Sequence, residues 1–470
     1  MSTLAQTAAP VALKSDLVLA FVLLDITIIL IAAHLLGKLA RRVGQPTVVG
    51  HIVAGVLLGP TLLGPTVFTW GDPWSALHCD ASLAVTQDAP SIGNCLFPPQ
   101  ARSALGVIGQ VALILYMFQI GVELDFAMIR GKGRGIVTVA VGVIVIPMLA
   151  GLVIAPILYD ERFVGGFGGA DQPSRLAFGL MVGAMLAVTA FPVMAHMLQE
   201  KGLSRTTMGS VGIASTAVLS VLMFLAVAAA AGVARDESAA QIGAKFAIAA
   251  AFIAFLFVVV RPALAPLGRD LENRGELTSS AFGVIFIVVF ASAYAADRIG
   301  INVIPGAFLA GAILPARELM FREMNARLRD ITIVVLLPIF LAFSGLNTDF
   351  TKLGTSFVVG ITLFLTVGIA TKWVGGAVSA RAGGLSWQEG NLLGVLMNCR
   401  GLLVLVVALI ALNEGVITGP LQVGSVLMAL VTTMMTGPLF DHFSGRTGGG
   451  PTPAAVPHGG GSAGQENPDV

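Results

Sequence analysis

The chain is a succession of long apolar segments separated by short polar ones, and that pattern admits few folds. A membrane helix needs about 20 mostly apolar residues. By that measure thirteen segments qualify, near 17–37, 47–63, 104–124, 135–158, 176–198, 208–234, 242–265, 277–296, 299–315, 331–346, 354–376, 389–411 and 417–440. Strands of a membrane β-barrel would run about 10 residues with polar and apolar positions alternating, and no such pattern occurs. Only 11% of the 470 residues are charged, against about 25% in an ordinary soluble domain. A compact soluble core cannot hide so much apolar surface beneath a polar skin. The fold class expected is an all-α polytopic membrane protein embedded in a lipid bilayer. With 27 basic and 26 acidic residues, the chain carries no charge excess to attract nucleic acid.

Basic residues accumulate on the cytoplasmic side of membrane proteins. With the loop after the first span placed inside, 17 Lys and Arg fall on that side and 7 on the other. Three more, Lys245, Lys372 and Arg400, stand within spans. This orientation puts the N-terminus (1–16) outside, the transmembrane region at 17–440 and the tail (441–470) in the cytoplasm. The tail is rich in Gly and Pro, as disordered segments are. No glycine-rich nucleotide fingerprint follows the last span, so no nucleotide and no cofactor is expected. Cys79 and Cys95 share the outer loop at 64–103 and are candidates for a disulfide. Cys399 lies within a span.

Two motifs recur. Gly50-His51-Ile52-Val53-Ala54-Gly55 and Gly306-Ala307-Phe308-Leu309-Ala310-Gly311 share G-x-x-x-A-G; Gly121 to Phe126 and Gly345 to Phe350 share G-x-x-x-D-F. Each pair lies seven spans apart, so the copies would cross the membrane in opposite directions. That is the inverted repeat of secondary transporters, with units at about 47–234 and 299–440. In such folds the transport site lies near the midplane, where broken helices of the two units cross. The fifth span carries Thr189-Ala190-Phe191-Pro192, and its proline leaves a carbonyl without a donor. The twelfth carries Asn398-Cys399-Arg400-Gly401. Pro192 and Gly401 mark the expected helix breaks.

These motifs are familiar as a set. The stretch Leu39 to Gly50, the end Ile120 to Asp125, Thr189 to Val193, Gly306 to Gly311, Leu337-Pro338-Ile339-Phe340 with Ser344-Gly345-Leu346, and Asn398 to Leu402 resemble bacterial cation:proton antiporters of the sodium/proton exchanger superfamily. The resemblance spans about residues 17 to 440. It implies a homodimer in the bacterial plasma membrane, a core moving against a dimerisation domain, and one ion site in that core. The departures bear on chemistry. Where the resemblance implies a cation-binding Asp pair on the sixth span, this chain has Leu219 and Ser220. An acid expected in the second span is His51, one expected in the twelfth is Val404, and a base expected in the fifth is His196.

A hard cation wants oxygen ligands, and a carboxylate adds both charge and a proton-exchange group. Thr189, Ser220 and Asn398 supply only neutral oxygens. Asp25 is the one acid deep in an expected span: an intramembrane acid is a functional candidate, or else a hydrogen-bonded acid at a helix or dimer contact. His51 and His196 are proton-carrier candidates because imidazole titrates near neutrality, or they are packing residues. Lys372 either carries protons itself, pairs with an anionic group, or snorkels to the cytoplasmic end of its span. Arg400 is expected to neutralise carbonyls freed at the helix break. Proton-coupled antiport of a monovalent cation (Na+ or K+) is the function expected. The alternatives are export of an organic or anionic solute on the same fold, and a non-transporting sensor or scaffold. No nucleophile or metal-hydrolase motif points to an enzyme.

Overall fold

In the computed structural model, residues 15–59, 97–123, 133–160, 172–203, 206–315, 318–346, 348 and 355–445 are described. Among them every regular element is helical. In chain order they are α1 (Ser15–Arg42), α2 (Thr47–Leu58), α3 (Pro99–Val122), α4 (Gly133–Leu158), α5 (Arg175–Ala187), α6 (Phe191–Glu200) and α7 (Thr207–Ala234). Next comes α8, Ala239–Phe255 and Arg261–Arg274 joined by a π turn, Leu256–Val260. Then follow α9 (Ser279–Ile299), α10 (Val303–Ala312) and α11, which is Glu318–Asp330 and Leu337–Leu346 joined by a π turn at Ile331–Leu336. The chain closes with α12 (Thr355–Ala382), α13 (Trp387–Met397), α14 (Gly401–Asn413) and α15 (Gly419–Gly445).

Nine described helices are long and apolar enough to cross a membrane, or ten if the bent pair α13 and α14 counts as one span. The sequence led us to expect thirteen. The remaining expected spans, at 47–63, 176–198 and 299–315, hold the shorter apolar helices α2, α5 and α10. These are buried against other helices along most of their length. Protein therefore surrounds them where lipid surrounds a lone span. The two ends also differ from expectation: α1 begins at Ser15, and α15 runs to Gly445, past the expected boundary at 440. Cys79 and Cys95 lie outside the described residues.

The chemistry of the outer surface confirms the class. Val153, Val258, Ile287 and Tyr294 are all exposed on helix faces, where a soluble protein would place charge. Local sequence signals set the helix starts. Ser238 with Gln241, and Ser386 with Glu389, form reciprocal capping boxes at α8 and α13, each satisfying amide hydrogens that the first turn leaves orphaned.

Glycine decides how closely the inner helices approach. A Cβ on Gly121 of α3 would lie 2.1 Å from Phe308 O of α10, and one on Gly311 of α10 would lie 2.1 Å from Phe118 O of α3. Gly55 of α2 and Gly345 of α11 meet in the same way, each with main-chain atoms of the other helix 2.5 Å from where its Cβ would be. Such backbone-to-backbone contact is how small residues bind membrane helices together, since lipid offers no hydrophobic drive.

Candidate functional site

The main chain between α5 and α6 leaves the helix at Val188–Ala190, and that between α13 and α14 at Asn398–Arg400. The second break bends the chain by 52°. Gly401 opens α14 at φ +45°, a left-handed conformation costly for any residue with a Cβ. Pro192 is the second residue of α6 rather than a mid-helix residue, a position where the missing N–H costs nothing. The helix therefore breaks just before the proline.

The two breaks touch. Ala190 N donates to Cys399 O at 2.7 Å, and Thr189 Oγ1 donates to Met397 O at 3.0 Å. More than 200 residues of chain separate the partners of each bond. Irregular backbone at membrane depth persists only where protein or a cavity satisfies it, and here each break satisfies the other.

The two buried bases stand at the C-terminal end of α5. Arg400, fully buried, donates through one terminal nitrogen to Met185 O at 2.9 Å and through the other to Gly368 O of α12. Lys372 of α12, also fully buried, donates to Ala187 O and, at 3.3 Å, to Val143 O of α4. The last carbonyls of a helix lack intrahelical partners and carry its negative dipole end. Two basic side chains therefore cap one half-helix. For Arg400 this is the expected role. For Lys372 it overturns snorkelling: α12 continues ten residues beyond it, to Ala382, so the amine sits inside and points at carbonyls. Among the described residues no carboxylate pairs with it.

Asn398 donates through Nδ2 to Ile369 O at 3.1 Å, while its Oδ1 is buried without a hydrogen bond. Ser220 of α7 is buried and donates back to Thr216 O at 2.9 Å. One turn earlier, Thr216 reaches the crossing itself, with Oγ1 at 3.5 Å from Met194 Sδ and 3.4 Å from Met397 Sδ. Thr189, Asn398, Arg400 and Lys372 thus converge around the breaks, with Ser220 one turn along α7 from Thr216. Thr216, Met194 and Met397 escaped the sequence reading, because hydroxyl and thioether side chains in apolar runs look like packing.

The other candidates lie elsewhere. His51 is buried in α2 and packs against α1, where a Cβ on Gly37 would come within 3.1 Å of its Nε2. Its ionisable neighbours are His34 and Arg41 of α1. Asp25 of α1 is fully buried with neither oxygen hydrogen-bonded, and its charged neighbour is Arg102 in the first turn of α3. The apolar residues of that region, Val22, Ile29, Leu105 and Ile339, form a cluster separate from the main core. His196 falls in α6, and its side chain is outside the described residues. Among the described residues no three His, Cys, Asp or Glu gather as a metal centre would require.

With this geometry established, comparison with known proteins is direct. Residues 26–442 match the family described as sodium/hydrogen exchanger, transmembrane. The chain is 32% identical over 432 residues to the Na(+)/H(+) antiporter NhaS4 of Synechocystis sp., covering 90% of this chain and 96% of that one. It is 28% identical to the K(+)/H(+) antiporter 1 of Saccharomyces cerevisiae, covering 88% of this chain and only 45% of the longer yeast protein. Among solved structures, the sodium proton antiporter MjNhaP1 from Methanocaldococcus jannaschii shares the fold, with a TM-score of 0.53 at 13% identity, over 90% of this chain and 96% of that one.

Proposed function

The chain belongs to the sodium/hydrogen exchanger family, and from that membership we propose that it exchanges a monovalent cation, Na+ or K+, for protons by alternating access. The observation that carries this reading is the contact between the two helix breaks through Ala190 and Cys399. It creates a buried, polar point around which two halves of a core can act. The transport site comprises Thr189, Ser220, Asn398, Lys372 and Arg400. We place the protein in a bacterial plasma membrane as a homodimer of thirteen-span subunits, N-terminus outside and C-terminus in the cytoplasm, with the transmembrane region as its functional domain.

The glycine contacts support an inverted repeat of about 47–234 and 299–440. Gly55 of the first unit meets Gly345 of the second, and Gly311 of the second meets Gly121 of the first. Copies related by a two-fold axis would produce this reciprocity. Export of an anionic solute is not favoured, because both buried bases direct their hydrogen bonds at main-chain carbonyls of this chain.

Of the carrier candidates whose side chains are described, Lys372 is the one that stands at the crossing, and we assign it the exchanged proton. Replacing Lys372 by methionine should abolish pH-gradient dissipation, while His51→Gln should leave the pH profile of exchange unchanged. Loss of coupling in His51→Gln instead would move the carrier to the α1–α2 interface.

The direct test uses purified protein in proteoliposomes with an imposed pH gradient. Addition of Na+, K+ or Li+ should collapse the gradient, and no response to any of them would overturn the reading. Ser220→Asp restores an acid beside the crossing. It should raise the rate with Na+ by about tenfold or more, the scale of one charge-assisted interaction in the interior. An unchanged rate would show that Ser220 is not at the ion's position.

A further inference from the structure

Three atoms bearing lone pairs converge where α6, α7 and α13 meet. Thr216 Oγ1 faces Met194 Sδ at 3.5 Å and Met397 Sδ at 3.4 Å, and all three residues are fully buried. A hydroxyl has one proton to give, and the nearest acceptor to Thr216 Oγ1 is Gly212 O at 2.9 Å. With three acceptors around one hydroxyl proton, at least one sulfur faces the oxygen without it. The three donors come from three separate elements, and Met397 is fastened to the other break by its carbonyl, which accepts from Thr189.

An uncharged group of lone pairs in a dry interior favours a cation, and the donor type selects which one. A hard, strongly hydrated ion such as Na+ prefers several oxygen ligands, and a carboxylate strengthens its hold. Here Leu219 and Ser220 occupy that region of α7, and the Ser220 hydroxyl is turned back onto Thr216 O. Lys372 and Arg400 at the same crossing raise the cost of an additional cation. Thioethers offset that cost for soft, polarisable monovalent ions, which they bind in preference to hard ones. Methionine is unbranched and flexible, so both side chains can close on an ion between them.

We propose that Met194, Met397 and Thr216 form a seat for a soft monovalent cation of the Cu+ or Ag+ type. As a transported substrate this ion rests on the cation-antiport reading; as a bound ion it does not.

Silver is the probe. Thiols would compete, so the full chain is prepared with Cys79→Ser, Cys95→Ser and Cys399→Ser and titrated calorimetrically with silver nitrate in chloride-free buffer. We expect one tight equivalent of Ag+ per chain. Met194→Leu with Met397→Leu, which nearly conserves volume, should remove that equivalent or weaken it by about tenfold or more, with Thr216→Val giving a smaller loss. An unchanged thermal melt verifies that each variant is folded. An identical silver titration in the double leucine variant would overturn the proposal. Vesicle assays run in parallel separate the two ideas. Na+ or K+ exchange without a silver site removes the inference and keeps the antiport reading, whereas a methionine-dependent silver site without any cation exchange does the reverse.

Discussion

Gly311→Ala is expected to destabilise the protein by about 3 kcal/mol or more, the upper range for overpacking an interior. The added Cβ would stand 2.1 Å from Phe118 O and 2.8 Å from Val122 N. Both are main-chain atoms of α3, which cannot rotate aside as a side chain can. Relief would require α3 and α10 to separate, and that would break the mirrored contact in which Gly121 meets Phe308 O. The thermal unfolding midpoint of the detergent-solubilised protein measures the effect. Gly243→Ala on α8 is the control, since nothing lies within 4 Å of its position. There, alanine's better helix propensity should raise stability by up to about 1 kcal/mol. A Gly311→Ala protein that melts with the wild type would mean that α3 and α10 do not pack backbone to backbone.

Arg400→Met is expected to eliminate exchange and to lower stability by about 2–4 kcal/mol, from buried carbonyls losing their charged donor at roughly 1–3 kcal/mol each. Met185 O is the more exposed to this loss, because it belongs to the last turn of α5, where no intrahelical N–H is available. Gly368 O, inside α12, retains its own helix bond. Arg400→Lys separates charge from shape. An ammonium keeps the positive charge opposite the end of α5, but it lacks the planar fork that spans from α5 to α12. Stability should therefore recover in part, while exchange stays well below wild type. Full exchange in Arg400→Met would exclude any role for this base in holding the crossing.

Some of the site is legible in the sequence for concrete reasons. The four-residue stretches beginning at Thr189 and Asn398 stand out because a polar run inside an apolar span must be satisfied by something, and each is satisfied by the other. Arg400 is readable in the same way, since a buried guanidinium at a helix break has free carbonyls for company. Lys372 reads as close to a membrane surface because hydropathy ends its span near 376, whereas the helix continues to Ala382 and carries the amine inward. Asp25 looks exceptional as an acid in an apolar run, yet its surroundings are the start of α3, far in sequence from both breaks. Thr216, Met194 and Met397 give no signal at all, because their significance is a matter of 3.4–3.5 Å distances between residues up to 181 positions apart.

The sequence by itself determined the solvent. So long a series of apolar segments with 11% charged residues is stable only where hydrocarbon replaces water, and in hydrocarbon the backbone must satisfy itself within helices. It also determined where those helices would fail, since proline, glycine and polar side chains act locally. Only the tertiary structure decided what the failures meet. Hydrogen bonds such as Ala190 to Cys399, and the capping of α5 by bases from α12 and from the break between α13 and α14, depend on packing that brings distant segments within 3 Å. Glycine sets that packing by letting backbones touch, and a residue with no side chain gives the sequence no way to say which partner it is waiting for.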